Sequence, residues 1–213
     1  MLELAHASDA DLLAAWEQGD RAAGSELVER HYESVYRFFR NKVGGHDQLE
    51  DLVQQTFLGC IEARRRFQHR CTFRTFVLAI ARHQLYAHFR SHARRRESDF
   101  TVTSLQDIGT SPSAQVARKQ DTRLLGEALQ RIPLEAQIAL ELAYWEGITG
   151  PELAVILDVP LETAYSRLRR AKVLLRDALF APGVANAPNA QERETFEAWL
   201  HSANRIVRDV PEA

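Results

Sequence analysis

Apolar residues recur every three or four positions through most of the chain, the period of an amphipathic helix. The first such stretch, residues 8–18, can be capped by Ser8 or Asp9 and ends at Gly19-Asp20. A second helix is predicted from Asp20 to Val43, with Ala23, Leu27, Tyr32, Val35, Phe38, Phe39 and Val43 as its stripe and Gly44-Gly45 as its stop. A third begins at Asp47, where Asp47 and Glu50 have the spacing of a capping box. Its apolar face is Leu49, Leu52, Val53, Thr56, Phe57, Cys60 and Ile61; Glu50, Asp51, Gln54 and Gln55 lie on the other side. A loop from Gln68 to Thr72 leads to a fourth helix, from about Phe73 to Arg90 or beyond. At 100° per residue, Phe73, Phe76, Val77, Ile80 and Ala81 share one face of it, and Thr75, Arg82, Tyr86 and Arg90 another.

The pattern then lapses. Ser98, Thr101, Thr103, Ser104, Gly109, Thr110, Ser111, Pro112 and Ser113 make a polar linker and mark a domain boundary. Helical spacing returns from Val116 to Arg131 and breaks at Ile132-Pro133. Leu134 to Glu146 reads as a further helix, ended by Gly147. Thr149 as N-cap, Pro151 in the first turn and Glu152 three residues on open a short helix that reaches Leu157. Asp158-Val159-Pro160 is a tight turn in which Asp158 takes the left-handed position, and a last helix runs from Leu161 to Phe180. Two short helices across a three-residue turn form a helix-turn-helix. Ala164, Leu168, Ala171 and Leu175 align on the packed face of the second. Tyr165, Ser166, Arg167, Arg169, Arg170 and Lys172 lie off it, as base- and phosphate-facing residues of a recognition helix do. Beyond a Pro-, Gly-, Ala- and Asn-rich stretch at 181–190, Phe196, Trp199, Leu200, Ala203, Ile206, Val207 and Val210 form one more apolar stripe. It can fold back on the second domain, with Val173 and Leu174 as its dock, or serve as a regulatory element.

Charge changes the picture. The net charge of −2 conceals segregated blocks. Residues 1–62 carry twelve acids and five bases; residues 64–96 carry ten arginines, four histidines and no acid. Acids again dominate 124–160, and 161–181 returns to +3. Apolar and aromatic residues run through the arginine block, so it is neither a solvated tail nor a buried helix. It is a helix packed on one side and cationic on the other, the footprint of a nucleic-acid binder. Cys60 and Cys71 are the only cysteines, without a CxxC, which fits a reducing compartment. No signal-like or membrane-spanning apolar run is present, so a soluble cytoplasmic protein is expected. His88 and His92 are four apart but have no acidic partner inside the block, and no Gly-rich phosphate loop or GxSxG occurs. Neither catalysis nor a metal or other cofactor is expected.

Taken together, the two halves resemble a bacterial RNA polymerase sigma factor of the extracytoplasmic-function group. The matching runs in the first half are residues 47–57, Arg66-Phe67, residues 73–77, Ile80-Ala81-Arg82 and Arg94-Arg95-Arg96. In the second half they are residues 128–133, 146–154 and 163–172, and the resemblance spans about 10–180. It implies that the third helix docks on core RNA polymerase through Glu50, Asp51, Gln54 and Phe57. It implies that Gln68, His69, Arg70 and Thr72 of the loop, with Arg82, His83, Tyr86, Arg90, Arg94, Arg95 and Arg96, engage the minus-ten promoter element as it melts. Unpaired bases would stack on aromatic faces while cations follow the backbone. Thr163, Tyr165, Ser166, Arg167, Arg169, Arg170 and Lys172 would read the minus-thirty-five element in duplex DNA. Two positions depart from the family pattern: His83 stands where Asn is frequent, and Tyr165 replaces a basic residue.

The expected fold is all-α. Residues 8–97 form a polymerase-binding and minus-ten domain, 98–115 a linker, 116–181 the helix-turn-helix domain, and 182–213 a linker with a C-terminal helix. The expected function is promoter recognition as a dissociable polymerase subunit, with core polymerase and promoter DNA as partners. The acidic-then-basic blocks also admit an anti-sigma factor between the domains. The alternatives are a helix-turn-helix regulator that acts without polymerase and an interaction protein whose basic helix binds an acidic partner.

Overall fold

The first two helices start at short polar side chains that take up free backbone N–H groups. The computed structural model describes residues 6–40, 42–64, 67, 71–95, 120–180, 196 and 200, without the side chains of 93–95 and 120–124. Ser8 caps α1 (Asp9–Glu17), its Oγ accepting from Asp11 N at 3.2 Å. Gly19, at φ +102°, turns the chain, and Asp20 Oδ1 accepts from Ala22 N and Ala23 N at 2.9 and 3.3 Å to start α2 (Arg21–Arg40). Then follow α3 (His46–Ala63) and α4 (Phe73–Arg95). The chain divides into two compact units, with the boundary near residue 98. Among the described residues there is no strand.

In the first unit α1 packs on α2, and α3 packs on both α2 and α4. The cause is the spacing of apolar residues. Leu27, His31, Val35 and Phe39 recur at intervals of four along α2 and all are buried. Val77, Ala81, Leu85 and Phe89 do the same along α4. Leu12, Leu13, Trp16, Ala23, Leu27 and Phe73 form one cluster, against which Phe67 and Phe76 pack. Full burial of a side chain such as Phe73 contributes about 1.5–3 kcal/mol.

Two details differ from the expectations. α2 ends at Arg40 rather than Val43. Lys42 turns back, its ammonium donating to Phe38 O at 2.6 Å and lying 4.3 Å from the Phe38 ring centroid. A cation on a terminal carbonyl is a favoured helix ending. The capping box at Asp47 does not form either: Gly45 is the N-cap of α3 and supplies no side chain. Asp47 lies within the first turn, where its charge still suits the helix dipole.

In the second unit α8 (Leu161–Leu179) packs on α6 (Leu134–Leu140) and α5 (Gln120–Gln130). The stretch read as one helix from Leu134 to Glu146 changes pitch midway. Residues Glu141–Trp145 form a π turn, closed by Glu146 N donating to Glu141 O at 3.0 Å. A π turn re-phases the residues after it, and Leu142 and Trp145 are both buried. The core joins Leu125, Leu129, Leu140, Trp145, Ala171, Leu175 and Leu179.

Candidate nucleic-acid interface

The cationic helix α4 is positioned from its N-terminus. Thr72 Oγ1 accepts from Thr75 N at 3.1 Å, and the two threonine hydroxyls lie 2.8 Å apart. Just upstream, Phe67 lies 4.6 Å from Phe76 between ring centroids. Phe73 continues the row, 6.1 Å from Phe76, 6.4 Å from Trp16 and 5.3 Å from the His31 ring. The aromatic row therefore anchors both ends of the loop. Gln68, His69 and Arg70, expected in that loop, lie outside the described residues, as do Arg96 and the side chains of Arg94 and Arg95.

Thr75 does not join the exposed strip on which helical periodicity placed it. It is fully buried, because the first turn of α4 is covered and its hydroxyl is held by Thr72. Arg82 and Tyr86 pair with each other. The guanidinium lies 4.9 Å from the ring centroid, both residues are partly buried, and Arg82 Nε is out of solvent. His83 and Arg90 project. They are seven residues apart, close to two turns, and so share one face. Arg90 Nε donates to Tyr86 O at 3.3 Å, which steadies its stem while the rest of the guanidinium remains available. The result is a half-buried cation–aromatic pair flanked by an exposed imidazole and an exposed guanidinium.

α1 is tied to α2 by a polar latch. His31 Nε2 lies 2.6 Å from Asp9 Oδ2, and Arg30 Nη1 donates to Asp9 Oδ1 and Ala7 O, both at 2.9 Å. Burial holds the His31 imidazole below its ordinary pKa, outweighing the opposing pull of Asp9. The hydrogen bond to Asp9 raises Arg30. Burial pushes the Cys60 thiol up to about 12, so it is an unreactive core group at neutral pH.

The second candidate surface is α8, preceded by α7 (Gly150–Leu157). Thr149 N and Oγ1 donate to Glu152 Oε2 at 3.0 and 2.7 Å, so the capping pair read from the sequence forms. Asp158 has φ +53°, the left-handed turn residue expected there, and Val159 N donates to Ala154 O at 3.1 Å. Ala164, Ala171, Leu175 and Leu179 of α8 face inward. Tyr165, Ser166, Arg169 and Arg170 are exposed; Thr163, Arg167 and Lys172 are partly buried. Several of these are engaged, and Ser166 Oγ donates to Thr163 O at 2.9 Å. Arg167 Nη1 lies 3.5 Å from Glu135 Oε2, with both side chains more than a third exposed, a pair worth about 0–1 kcal/mol that a phosphate can displace. The Tyr165 ring lies across Gly150: a Cβ there would come within 2.5 Å of Cε1 and 2.6 Å of Cζ. The sequence carried no signal for this contact, because it joins residues from two helices.

On α3, Glu50, Asp51 and Gln54 are exposed as expected. Phe57 is not: it is 7% exposed and belongs to the core, one turn after Val53 on the inward face. Its place in the candidate docking surface falls to Leu58, which is 50% exposed and shares a stripe with Asp51 and Gln54 at i+7 and i+4. Ile61, expected inside, is 41% exposed. A large exposed aliphatic residue beside exposed carboxylates was the available signal for Leu58, since an apolar residue off the main stripe has no packing reason to be there. Among the described residues no group of three or more His, Cys, Asp or Glu side chains forms a metal cluster, and no helix is long and apolar enough to cross a membrane.

Among the described residues a cation-rich, aromatic-bearing helix in one unit and a helix-turn-helix in the other form an arrangement suited to binding DNA. The Sigma-70 region 2 family model matches residues 27–95 and the Sigma-70 region 4 model residues 122–175. The ECF RNA polymerase sigma factor SigC of Mycobacterium tuberculosis is 30% identical over 172 residues, 77% of this chain and 85% of that protein. The ECF RNA polymerase sigma-E factor of Haemophilus influenzae is 24% identical over 182 residues, 81% of this chain and 95% of that protein. The fold is shared with CnrH, solved in complex with the cytosolic domain of CnrY, at TM-score 0.59 and 22% identity over 82% of this chain and 99% of that one. It is also shared with the sigma factor RpoE of Bartonella quintana, solved with the anti-sigma factor NepR, at TM-score 0.55 and 21% identity over 71% of this chain and 92% of that one. The chain belongs to the extracytoplasmic-function group of RNA polymerase sigma factors. Members of this family are non-catalytic initiation factors that bind core RNA polymerase and direct it to promoter DNA.

Proposed function

We propose that this sigma factor divides its work between the two units. α3 docks on core polymerase through Glu50, Asp51 and Gln54, with Leu58 as the apolar centre of the contact. α4 and the loop before it engage the minus-ten element as it melts. α8 reads the minus-thirty-five element, with Arg169 and Arg170 on phosphates and Ser166 and Arg167 toward the groove. Gln68, His69 and Arg70 of the loop and Arg94 to Arg96 are the further minus-ten contacts of this proposal. The residues between 98 and 115 link the two functions. By analogy with CnrH and the Bartonella sigma factor, an anti-sigma factor is a further partner.

The observation that carries the melting assignment is the Arg82–Tyr86 pair beside exposed His83 and Arg90, in a 33-residue block without one acid. An aromatic ring beside cations favours unpaired, stackable bases over a rigid duplex. Run-off transcription with core enzyme on promoter libraries tests the whole reading, and permanganate reactivity of unpaired thymines tests melting. His83→Ala with Arg90→Ala should abolish minus-ten reactivity while leaving duplex binding at minus-thirty-five intact. Promoter-independent output from a folded chain and active core enzyme would refute the reading.

A further inference from the structure

Two large apolar side chains stand exposed at the start of α8: Leu161 at 39% and Tyr165 at 46%. They are four residues apart and so share one side of the helix, and Arg169, also exposed, follows four residues on. A single exposed apolar residue is ordinary on a protein surface. These two adjoin at the N-terminal end, the part of a recognition helix that meets base edges. Val173, expected as a dock for the C-terminal stripe, is 41% exposed but lies past Arg169 and Arg170, in the other half of the helix.

Tyr165 is also held in place. Its ring lies across Gly150, the first residue of α7, and Oη, Cε1 and Cζ are the atoms nearest to where a side chain at 150 would begin. A Cβ there would push the hydroxyl end of the ring away, so this close approach is open to glycine alone. With that end laid over α7, the rest of the ring, a carbon edge and face, is what α8 offers outward. Of the four bases only thymine presents an apolar group in the major groove, its C5 methyl, and apolar side chains are what contact it.

We propose that Tyr165, beside Leu161, determines specificity by selecting thymine at one position of the minus-thirty-five element through its C5 methyl, and that Gly150 is the positioning residue for the ring. This rests on the assignment of α8 to that element. Arg169 and Arg170 hold phosphates whatever the sequence, and the ring adds a base preference that they lack.

Run-off transcription by core polymerase with the full chain tests this on promoters selected from a randomised minus-thirty-five library. Each is remade with deoxyuridine in place of one thymidine at a time, on either strand. Uracil pairs as thymine does and lacks only the methyl. At one position the parent chain should favour thymine over uracil by about 4-fold, the effect of taking one methyl out of water. Tyr165→Phe should keep that preference. Tyr165→Ala should abolish it with the melting temperature unchanged, and Gly150→Ala should abolish it without altering any DNA-facing side chain. Output that depends on the minus-thirty-five sequence but is equal for thymine and uracil at every position overturns the inference and leaves α8 as the reader. Loss of the preference in Tyr165→Phe overturns it in favour of a hydrogen bond through the hydroxyl. Full preference retained in Tyr165→Ala or Gly150→Ala overturns it as well. Output indifferent to the whole element overturns the assignment of α8, and the inference falls with it.

Discussion

Replacing Gly24 by Ala opposes two effects whose sizes differ enough to decide the sign. Gly24 is buried in α2, and alanine there gains up to about 1 kcal/mol of helix propensity. The new Cβ would stand 2.5, 2.6 and 2.8 Å from Nε1, Cδ1 and Cε2 of Trp16, well inside contact distance. Moving the indole would disturb its packing: it is 9% exposed, edge-on to Phe73 at 6.4 Å, with the Arg64 guanidinium 5.3 Å from its ring. Overpacking of this kind costs about 1–3 kcal/mol. Loss of the aromatic pair adds about 0.5–1.5 kcal/mol. Net destabilisation should be about 2 kcal/mol, a fall of roughly 8–16 °C in the melting of a unit of this size. Calorimetry of the full chain measures it. With Trp16→Leu in place the obstruction is gone, and Gly24→Ala should then stabilise by about 1 kcal/mol. A Gly24→Ala chain that is more stable than the parent with Trp16 present would refute the packing argument.

Asp51→Lys should abolish co-purification with core polymerase while leaving the melting temperature unchanged, because Asp51 is exposed and makes no core contact; retained binding would remove α3 from the docking surface. The first unit should lose stability as pH falls through the ordinary histidine range. His31 is buried neutral with a lowered pKa, so below about pH 6.5 the unfolded chain takes up a proton that the folded chain refuses, at a limiting slope of about 1.4 kcal/mol per pH unit. His31→Gln should flatten that slope in urea titrations between pH 7 and 5, and an unchanged slope would assign it to other groups.

Much of the helical architecture was legible because it rests on local rules. Apolar spacing located the eight α-helices of the described residues, the Thr149–Glu152 pair marked the start of α7, and Asp158 was read as left-handed from its place in the turn of the helix-turn-helix, where aspartate is tolerated. The segregation of arginines into 64–96 pointed to a polyanion before any fold was known. The errors have a common origin. Thr75 was placed outward, and Ile61 inward, from the phase of single helices; Phe57 was read on the apolar face, where it lies, and only the resemblance carried it to the docking surface. The true boundary of each buried face depends on how wide a neighbouring helix is and where it crosses. The π turn at Glu141–Trp145 escaped notice because its sequence is an ordinary helical one.

The arginine block that suggested nucleic acid was determined by the order of residues, since charge needs no partner to be counted. Its working geometry was decided by packing. Arg82 turned onto Tyr86, while His83 and Arg90 were left in solvent. Across the helix-turn-helix, Tyr165 came to rest on Gly150, which no periodicity could foresee. The C-terminal stripe was visible as an amphipathic pattern, and folding back on the second domain was one of its two readings. Only the tertiary structure seated Phe196 and Leu200 in the second core. The physical reason is the same throughout: a sequence states which faces are apolar or charged, and burial is a property of two faces brought together.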